Sequence, residues 1–268
     1  MTNTCELTTA DGFKIAAVHT RSKGNQIVLW LHGITVDKNE YLDMYKKGVK
    51  YLASRGIDSL RIDFRGHGES GGTSLDFSIV GQMFDVQCAI KYLRQQYNME
   101  RTNLRIVGCS FGAPPAIFSA IRYPKLLKGI ILIAPVLSYT RTFFKPETQW
   151  AKTIFNKKTL SAAVKTKQLL INDNFSISIR LIEEMRLIRP DVALGQVKQK
   201  IMIIHGEKDS MVPYAVSKDL SLQYSTIKFV NISGMDHGFM DAEDEEGTSQ
   251  KSRVNELNIF NLIAAQCL

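Results

Sequence analysis

Leu104-Arg105-Ile106-Val107-Gly108-Cys109-Ser110-Phe111-Gly112 is the stretch on which the reading of this chain turns. The short run Leu104 to Val107 predicts a buried strand. It ends in Gly-x-Ser-x-Gly, and Ala113 to Arg122 predicts a helix. Strand, sharp turn and helix in that order make a nucleophile elbow, which holds a serine hydroxyl exposed on a strained turn. Gly108 and Gly112 have a steric job there. With no Cβ, they let strand and helix pass close to the turn. Pro114 and Pro115 would break a helix interior, but the first turn tolerates them because its N–H groups have no partner within the helix. A five-residue pattern recurs by chance, so its weight depends on what flanks it.

Toward the N-terminus, residues 4–9 and 13–20 predict two strands about the turn Asp11-Gly12, an edge hairpin with Phe13, Ile15, Ala17 and His19 on one face. Ile27-Val28-Leu29-Trp30-Leu31 is a continuous apolar run, the pattern of a strand buried on both faces of a parallel sheet, and it ends in His32-Gly33-Ile34. A helix follows with Leu42, Tyr45, Val49 and Leu52 inward, stopped by Gly56. Ile57 to Phe64 is the next strand, and a helix from about Ser78 to Tyr97 leads into the elbow.

Beyond the elbow, Gly129 to Ala134, Ile201 to His205 and Thr226 to Asn231 predict strands. Tyr214 to Gln223 predicts a helix. Another runs from about Arg253 to Ala265, with Val254, Leu257, Phe260 and Ala264 inward. Apolar strands alternating with amphipathic helices mean an α/β fold with a mostly parallel sheet flanked by helices. From Val136 to Val197 no strand is expected, and the interval is too long for a plain connection. It predicts an inserted helical cap over 136–197, set into a core of 1–135 and 198–268, with Arg189-Pro190 marking the return. Asp241 to Glu246 is an acidic run expected on a solvated loop.

Composition sets the outer limits. At 268 residues, 44% hydrophobic and 22% charged, the chain has the make-up of a globular protein large enough for a full core. No apolar run is long enough to span a membrane. The N-terminal residues lack the basic start and apolar core of a secretory signal. The four cysteines are scattered without metal-like spacing, which fits a reduced, cytoplasmic setting. The net charge of +8 comes without a basic tail or aromatic-basic motif, so nucleic acid is not an expected partner.

A serine hydroxyl is a poor nucleophile at neutral pH and needs a base, which in turn needs an orienting acid. Of five histidines, His19 falls inside a strand, and His32, His67 and His205 each precede a glycine at or near a strand end, where backbone turning is explanation enough. His237 lies in Gly234-Met235-Asp236-His237-Gly238-Phe239, a loop after the last strand, at the carboxyl edge that carries sites in open α/β folds. For the acid, Asp209 just past the strand 201–205 is favoured over Glu207 and Asp236. Ser110, Asp209, His237 is the chain order of the α/β-hydrolase triad. His205, Glu207 and Asp209 lack the clustered ligand set of a metal site, and no cofactor is called for. Cys109 is expected to pack back into the sheet.

With His32-Gly33, Asp63-Phe64-Arg65-Gly66-His67-Gly68-Glu69-Ser70, the elbow, Gly206-Glu207-Lys208-Asp209 with Val212-Pro213, and Asp236-His237-Gly238-Phe239 in this order, nearly the whole chain resembles α/β-hydrolases of the serine esterase, lipase and aminopeptidase-like group. Within that group it resembles the bacterial cinnamoyl/feruloyl esterase-like enzymes with a small inserted cap. The resemblance implies Ser110 as nucleophile, His237 as base and Asp209 as its partner. It implies an oxyanion hole from the backbone N–H groups of Phe111 and Ile34, although the Gly-Gly repeat of some lipases is missing after His32. It also disfavours the dehalogenase and epoxide hydrolase relatives, which carry aspartate at the elbow.

Phe143, Phe144, Trp150 and Phe155 give the cap apolar bulk, and the first three are candidates to line an acyl or aromatic pocket. Arg141 and six lysines between Lys145 and Lys167 stand against one acid, Glu147. They read as a solvated face or as a rim that steers an anionic carrier. The expected reaction is hydrolysis of carboxylic esters of small-to-medium apolar acids. The alternatives are an acyl-thioesterase or acyltransferase working on acyl carrier protein or coenzyme A thioesters, a peptidase, and a non-catalytic binder on the same fold.

Overall fold

The computed structural model describes residues 1–22, 24–244 and 246–268. In chain order the core begins with β1 (Thr2–Thr8), β2 (Lys14–Thr20), β3 (Gln26–Leu31), α1 (Met44–Ala53), β4 (Ile57–Ile62), α2 (Ile79–Gln96), β5 (Asn103–Cys109), α3 (Ala113–Arg122) and β6 (Leu127–Ile133). A long excursion carries α4 (Gln149–Ile154), α5 (Lys157–Thr166), β7 (Gln168–Asn172), β8 (Phe175–Ser178), α6 (Ile179–Leu187) and α7 (Pro190–Leu194). The core closes with β9 (Lys200–Gly206), α8 (Tyr214–Gln223), β10 (Ile227–Ile232) and α9 (Gln250–Cys267).

The main sheet has eight strands in the order β1-β2-β4-β3-β5-β6-β9-β10. β2 pairs antiparallel with both β1 and β4, and all other neighbours are parallel. The apolar runs explain this. Because side chains alternate across a strand, Ile27, Leu29 and Leu31 of β3 enter one core layer while Val28 and Trp30 enter the other. Ile106 against Val107, and Ile203 against Ile204, divide in the same way. Each central strand is thus covered on both faces, as a parallel sheet requires. The layer built on α1 and α9 is the smaller of the two.

Two helix faces differ from expectation. Leu42 is 41% exposed and sits at φ 49 in a turn, so α1 starts two residues later and buries Met44, Tyr45, Gly48, Val49 and Leu52. In α9, Val254 and Leu257 face solvent, at 49% and 47% exposure, and the buried stripe runs through Asn255, Ile259, Phe260, Ile263, Ala264 and Cys267. At 3.6 residues per turn Val254 lies roughly 140° round the helix from Ile259. Of the acidic run 241–246, Glu245 lies outside the described residues.

Residues 136–197 are not wholly helical or irregular. β7 and β8 form an antiparallel hairpin. Leu169 and Ile171, with Phe175 and Ile177, are buried, while Gln168, Leu170 and Asn172 are exposed. This is a period-two pattern hidden between two helical ones. Pro190 opens α7 at its first turn, and α7 packs against α3.

The elbow glycines are sites of close backbone approach. A Cβ on Gly108 would meet the carbonyl oxygen of Gly112 at 2.4 Å, and one on Gly112 would meet that of Leu31 at 2.2 Å. Both clashes are with backbone, one with the elbow turn and one with β3, which cannot yield cheaply. We expect Gly112→Ala to cost about 1–3 kcal/mol by overpacking. Gly71→Ala, whose Cβ would find nothing nearer than 3.5 Å, is expected to stay within about 0.5 kcal/mol. Urea denaturation of the two variants checks the contrast.

Candidate active site

Parallel strands end at one edge, and the loops leaving β3, β5, β9 and β10 meet there. Ser110 follows directly on β5 at φ 49, the strained conformation expected of an elbow residue. Its Oγ lies 3.1 Å from Nε2 of His237, on the loop after β10. His237 Nδ1 lies 2.8 Å from Oδ2 of Asp209, on the turn after β9. An ionised carboxylate only accepts, so Nδ1 carries the proton and Nε2 is left to accept from the Ser110 hydroxyl.

The Asp209 side chain is fully buried and richly served. Its Oδ1 accepts the N–H groups of Met211 and Val212 at 2.9 and 2.7 Å. Its Oδ2 accepts from His237 and also from His205 Nε2 at 2.9 Å. Burial alone would raise its pKa. The His237 charge and the imidazole hydrogen bonds outweigh burial and hold the carboxyl well below the usual range. For His237 burial works downward, but Asp209, Glu40 and Asp236 together raise it above its ordinary value.

The other acids have different work. Asp236 Oδ1 accepts the N–H groups of Ser210 and His237, both at 2.7 Å, and so ties the Asp209 turn to the His237 loop. Glu207 lies at the surface with Asn231 and Ser233. With Glu207 turned away and His205 bonded to Asp209, these three do not converge on a metal position, and no metal-like cluster occurs among the described residues.

His205 does more than precede a glycine. Its donation to Asp209 fixes the Nε2–H tautomer, so Nδ1 accepts from Ser217 Oγ at 2.7 Å. The carboxylate is therefore gripped by two imidazoles. The signal was the spacing His205-Gly206-x-x-Asp209 across a tight turn, closed by Asp209 N–H to the Gly206 carbonyl at 3.3 Å.

His32 and His67 serve the scaffold. His32 Nδ1 donates to the Gly33 carbonyl at 2.6 Å and its Nε2 accepts the Phe64 N–H at 2.9 Å, which locks the loop after β3 to the loop after β4. Burial pushes His32 down to about 4, and burial with the nearby His32 ring pushes His67 down to about 3. His19 is held between the hydroxyls of Tyr92 and Tyr97.

A cavity of about 360 Å³ opens over Ser110. Gly33, Ile34 and Phe111 line it beside the hydroxyl, and Val136, Phe143, Trp150, Met211 and Val212 supply apolar wall. Phe144, expected with Phe143 and Trp150, does not line it. Its ring lies under the Arg186 guanidinium, 4.6 Å away. Phe155 backs Phe143 at a ring separation of 4.6 Å. Cys109 is buried at the cavity floor, and burial pushes its thiol well up. The charged wall residues are Glu40, Asp236, Asp241 and Asp244. Among the described residues no Lys or Arg lines the cavity. Arg141 instead bridges Glu147 and Asp219 outside it.

A family model described as "Serine aminopeptidase, S33" matches residues 22–244. The human alpha/beta hydrolase domain-containing protein 17B is 30% identical over 144 residues, 53% of this chain and 46% of that protein. A multifunctional-autoprocessing repeats-in-toxin protein of Vibrio cholerae is 30% identical over 126 residues, 46% of this chain and 3% of that protein. The chain thus spans less than half the length of these relatives. Among solved structures, Est1E from Butyrivibrio proteoclasticus with bound ferulic acid has a TM-score of 0.77 at 19% identity, covering 98% of this chain and 99% of that one. At that identity the likeness shows the fold. No helix among the described residues is long and apolar enough to cross a membrane.

Two outcomes follow from the histidines. His205→Leu leaves Asp209 short of a donor and Ser217 without its acceptor. The expected loss is about 1–3 kcal/mol in urea denaturation, with His205→Gln, which can still donate, losing less. His67 stays neutral in the fold at about 3, below its unfolded value of about 6.5. The unfolded chain therefore binds the extra proton as pH falls, and stability drops between those values by on the order of 1 kcal/mol per pH unit. His67→Gln should flatten the stability profile by that slope between about pH 6 and 4. Equal slopes in the two proteins would refute the assignment.

Proposed function

The chain belongs to the serine aminopeptidase S33 family of α/β-hydrolases, and from that premise we propose that it is a serine-dependent hydrolase of carboxylic esters of small-to-medium apolar acids. The observation that carries this reading is the continuous hydrogen-bonded line Ser110–His237–Asp209 under an apolar cavity.

Ser110 Oγ attacks the ester carbonyl while its proton passes to His237 Nε2, and the carbonyl electron pair moves onto oxygen. Asp209 supports the imidazolium through Nδ1–H. The imidazolium then gives the proton to the leaving alkoxide as the C–O bond breaks, leaving an acyl group on Ser110. Water, activated by the same nitrogen, releases the acid. The oxyanion needs two N–H donors. Ile34 and Phe111 border the cavity beside Ser110, and neither N–H has an acceptor among the described residues. Such donors are worth about 2.7–4 kcal/mol each.

Residues 136–197 act in this reading as the cap, with Phe143 and Trp150 as the acyl wall. The cavity volume suits a short aliphatic or a single-ring aromatic acyl group. Ferulic acid, which occupies the Est1E structure, is an aromatic acid of that kind. Carrier-bound thioesters are the less favoured substrates. The basic residues of 138–171 stand outside the cavity, and its charged walls are carboxylates.

A fluorophosphonate probe is expected to label the wild type at Ser110. Ser110→Ala is expected to lose about 10⁴-fold or more of the turnover of p-nitrophenyl esters while keeping its circular dichroism and melting temperature. An ester series from acetyl to cinnamoyl, run beside matched thioesters, locates the preference. No labelling and no turnover of any member would overturn the reading.

A further inference from the structure

Glu40 is a carboxyl buried at the site without a cation. It is 8% exposed and borders the cavity over Ser110. Its Oε2 accepts the Gly33 N–H at 2.9 Å, and its Oε1 accepts the N–H of its neighbour Tyr41 at 3.1 Å. No Lys or Arg bonds to it among the described residues. Lys38, close in sequence, is committed to Asp63 and Glu69, and Arg61 to Asn39. Burying a carboxyl on neutral donors alone is expensive, so a structure that keeps one beside a nucleophile needs a reason.

The backbone makes the placement more pointed. Glu40 adopts φ 63 and ψ 174, a region that costs a residue with a Cβ of order 1–3 kcal/mol. The loop is pinned there by Glu40 N–H to the Asp37 carbonyl at 2.9 Å and Tyr45 N–H to the Asn39 carbonyl at 2.8 Å. Gly33 is wedged between this carboxyl and the nucleophile. A Cβ on Gly33 would stand 3.2 Å from Ser110 Cβ and 3.8 Å from each Glu40 oxygen. The Glu40 carboxyl therefore holds, by its N–H, the residue just before the Ile34 amide.

We propose that Glu40 is a positioning residue for the reaction on Ser110. Its carboxylate sets the Gly33–Ile34 backbone so that the Ile34 N–H meets the oxyanion, and its charge supports the His237 imidazolium formed when Ser110 gives up its proton. The proposal rests on the serine-hydrolase reading above. Three carboxylates act on His237: Asp209 from the turn after β9, Asp236 from its own loop and Glu40 from the loop after β3. Asp209 bonds the ring and Asp236 its backbone N–H, whereas Glu40 bonds neither and acts through its field. Burial raises the Glu40 pKa, and the Gly33 and Tyr41 amides, then the His237 charge and the Cys109 thiol, offset only part of that rise, so Glu40 and His237 each favour the charged form of the other.

The test is the rate of Ser110 labelling by a fluorophosphonate across pH 5–9, with melting temperatures measured alongside, on the wild type, Glu40→Gln and Glu40→Asp. Labelling requires the serine, the base and the oxyanion donors but no ester. Glu40→Gln keeps an acceptor oxygen and loses the charge. It should label about tenfold more slowly at pH 7, and its acid inflection should move down by about half to one pH unit as the imidazolium loses support. Glu40→Asp keeps the charge on a shorter arm, so the rate should fall with the inflection near its wild-type pH. A merely structural role would change melting temperature and leave the inflection in place. The proposal is overturned if Glu40→Gln labels at the wild-type rate with an unmoved inflection. It is also overturned if Glu40→Asp moves the inflection down by about half a pH unit or more, an arm that stands even if Glu40→Gln does not fold. A wild type that does not label removes the serine-hydrolase reading itself, and this proposal with it.

Discussion

Three backbone segments meet at the Ser110 turn with little room for an added β carbon, and the site follows from that contact. β3 and β5 are parallel neighbours in a register that sets Leu31 opposite Gly108. Two residues further along each strand come Gly33 and Ser110, so the loop after β3 and the serine arrive side by side. The contact is tight because the elbow folds back on its own strand at Gly108 and on β3 at Gly112. A Cβ at Gly112 would stand 2.2 Å from the Leu31 carbonyl oxygen and one at Gly33 3.2 Å from Ser110 Cβ, so a larger residue at either disturbs the approach of the β3 loop to Ser110. The same logic of register brings β9 and β10 together, with Gly206 opposite Ile232, and their next turns carry Asp209 and His237. The geometry of the hydroxyl, the imidazole and the carboxylate is therefore a property of the sheet edge rather than of any one loop.

Asp209 shows what it takes to keep a charge inside such an edge. Two amides and two imidazoles donate to its oxygens. Hydrogen bonds to an ionised group run about 1.5–3 kcal/mol each, which offsets a desolvation cost of several kcal/mol. Because each donor comes with a fixed direction, the same bonds that keep the carboxylate ionised also aim it. His237 can then occupy one tautomer only, the one whose Nε2 faces the serine.

The parts of this arrangement that were legible in the sequence are those set by local chemistry. Glycine spacing about Ser110, apolar runs ending in polar turns, and the order Ser110, Asp209, His237 all survive being read one residue at a time. What escaped depends on partners far away in the chain. Phe144 and Phe143 are adjacent and equally aromatic, and only the position of Arg186 on α6 separates wall from surface. Val254 and Leu257 are apolar, yet the face of α9 is chosen by where Phe260 and Ile263 meet β3 and α1, so Asn255 goes in and Leu257 stays out. The hairpin of β7 and β8 is short enough that its alternation is lost beside two helical patterns. His205 looked like a turn residue because its use depends on Ser217 and on an aspartate whose own role was only one of three options.

The charges of the molecule are divided in space, and the division bears on the chemistry. A chain of net charge +8 has a cavity whose charged walls are carboxylates, while its lysines face outward on α4 and α5. On the proposed reaction, a negative field at Ser110 favours a cation on His237 and opposes an anion on the substrate oxygen. The first effect lowers the barrier to deprotonating the serine. The second must be overcome locally, and only groups within hydrogen-bond distance can do it, since a backbone N–H acts at about 3 Å where a carboxylate further off acts through a longer path. On the proposed reaction, the oxyanion is thus left entirely to the Ile34 and Phe111 amides, and their aim matters more here than in a site with positive walls. On the same proposed reaction, the product acid, once ionised, would meet these carboxylates, so the field that hinders the intermediate would favour release of the acid.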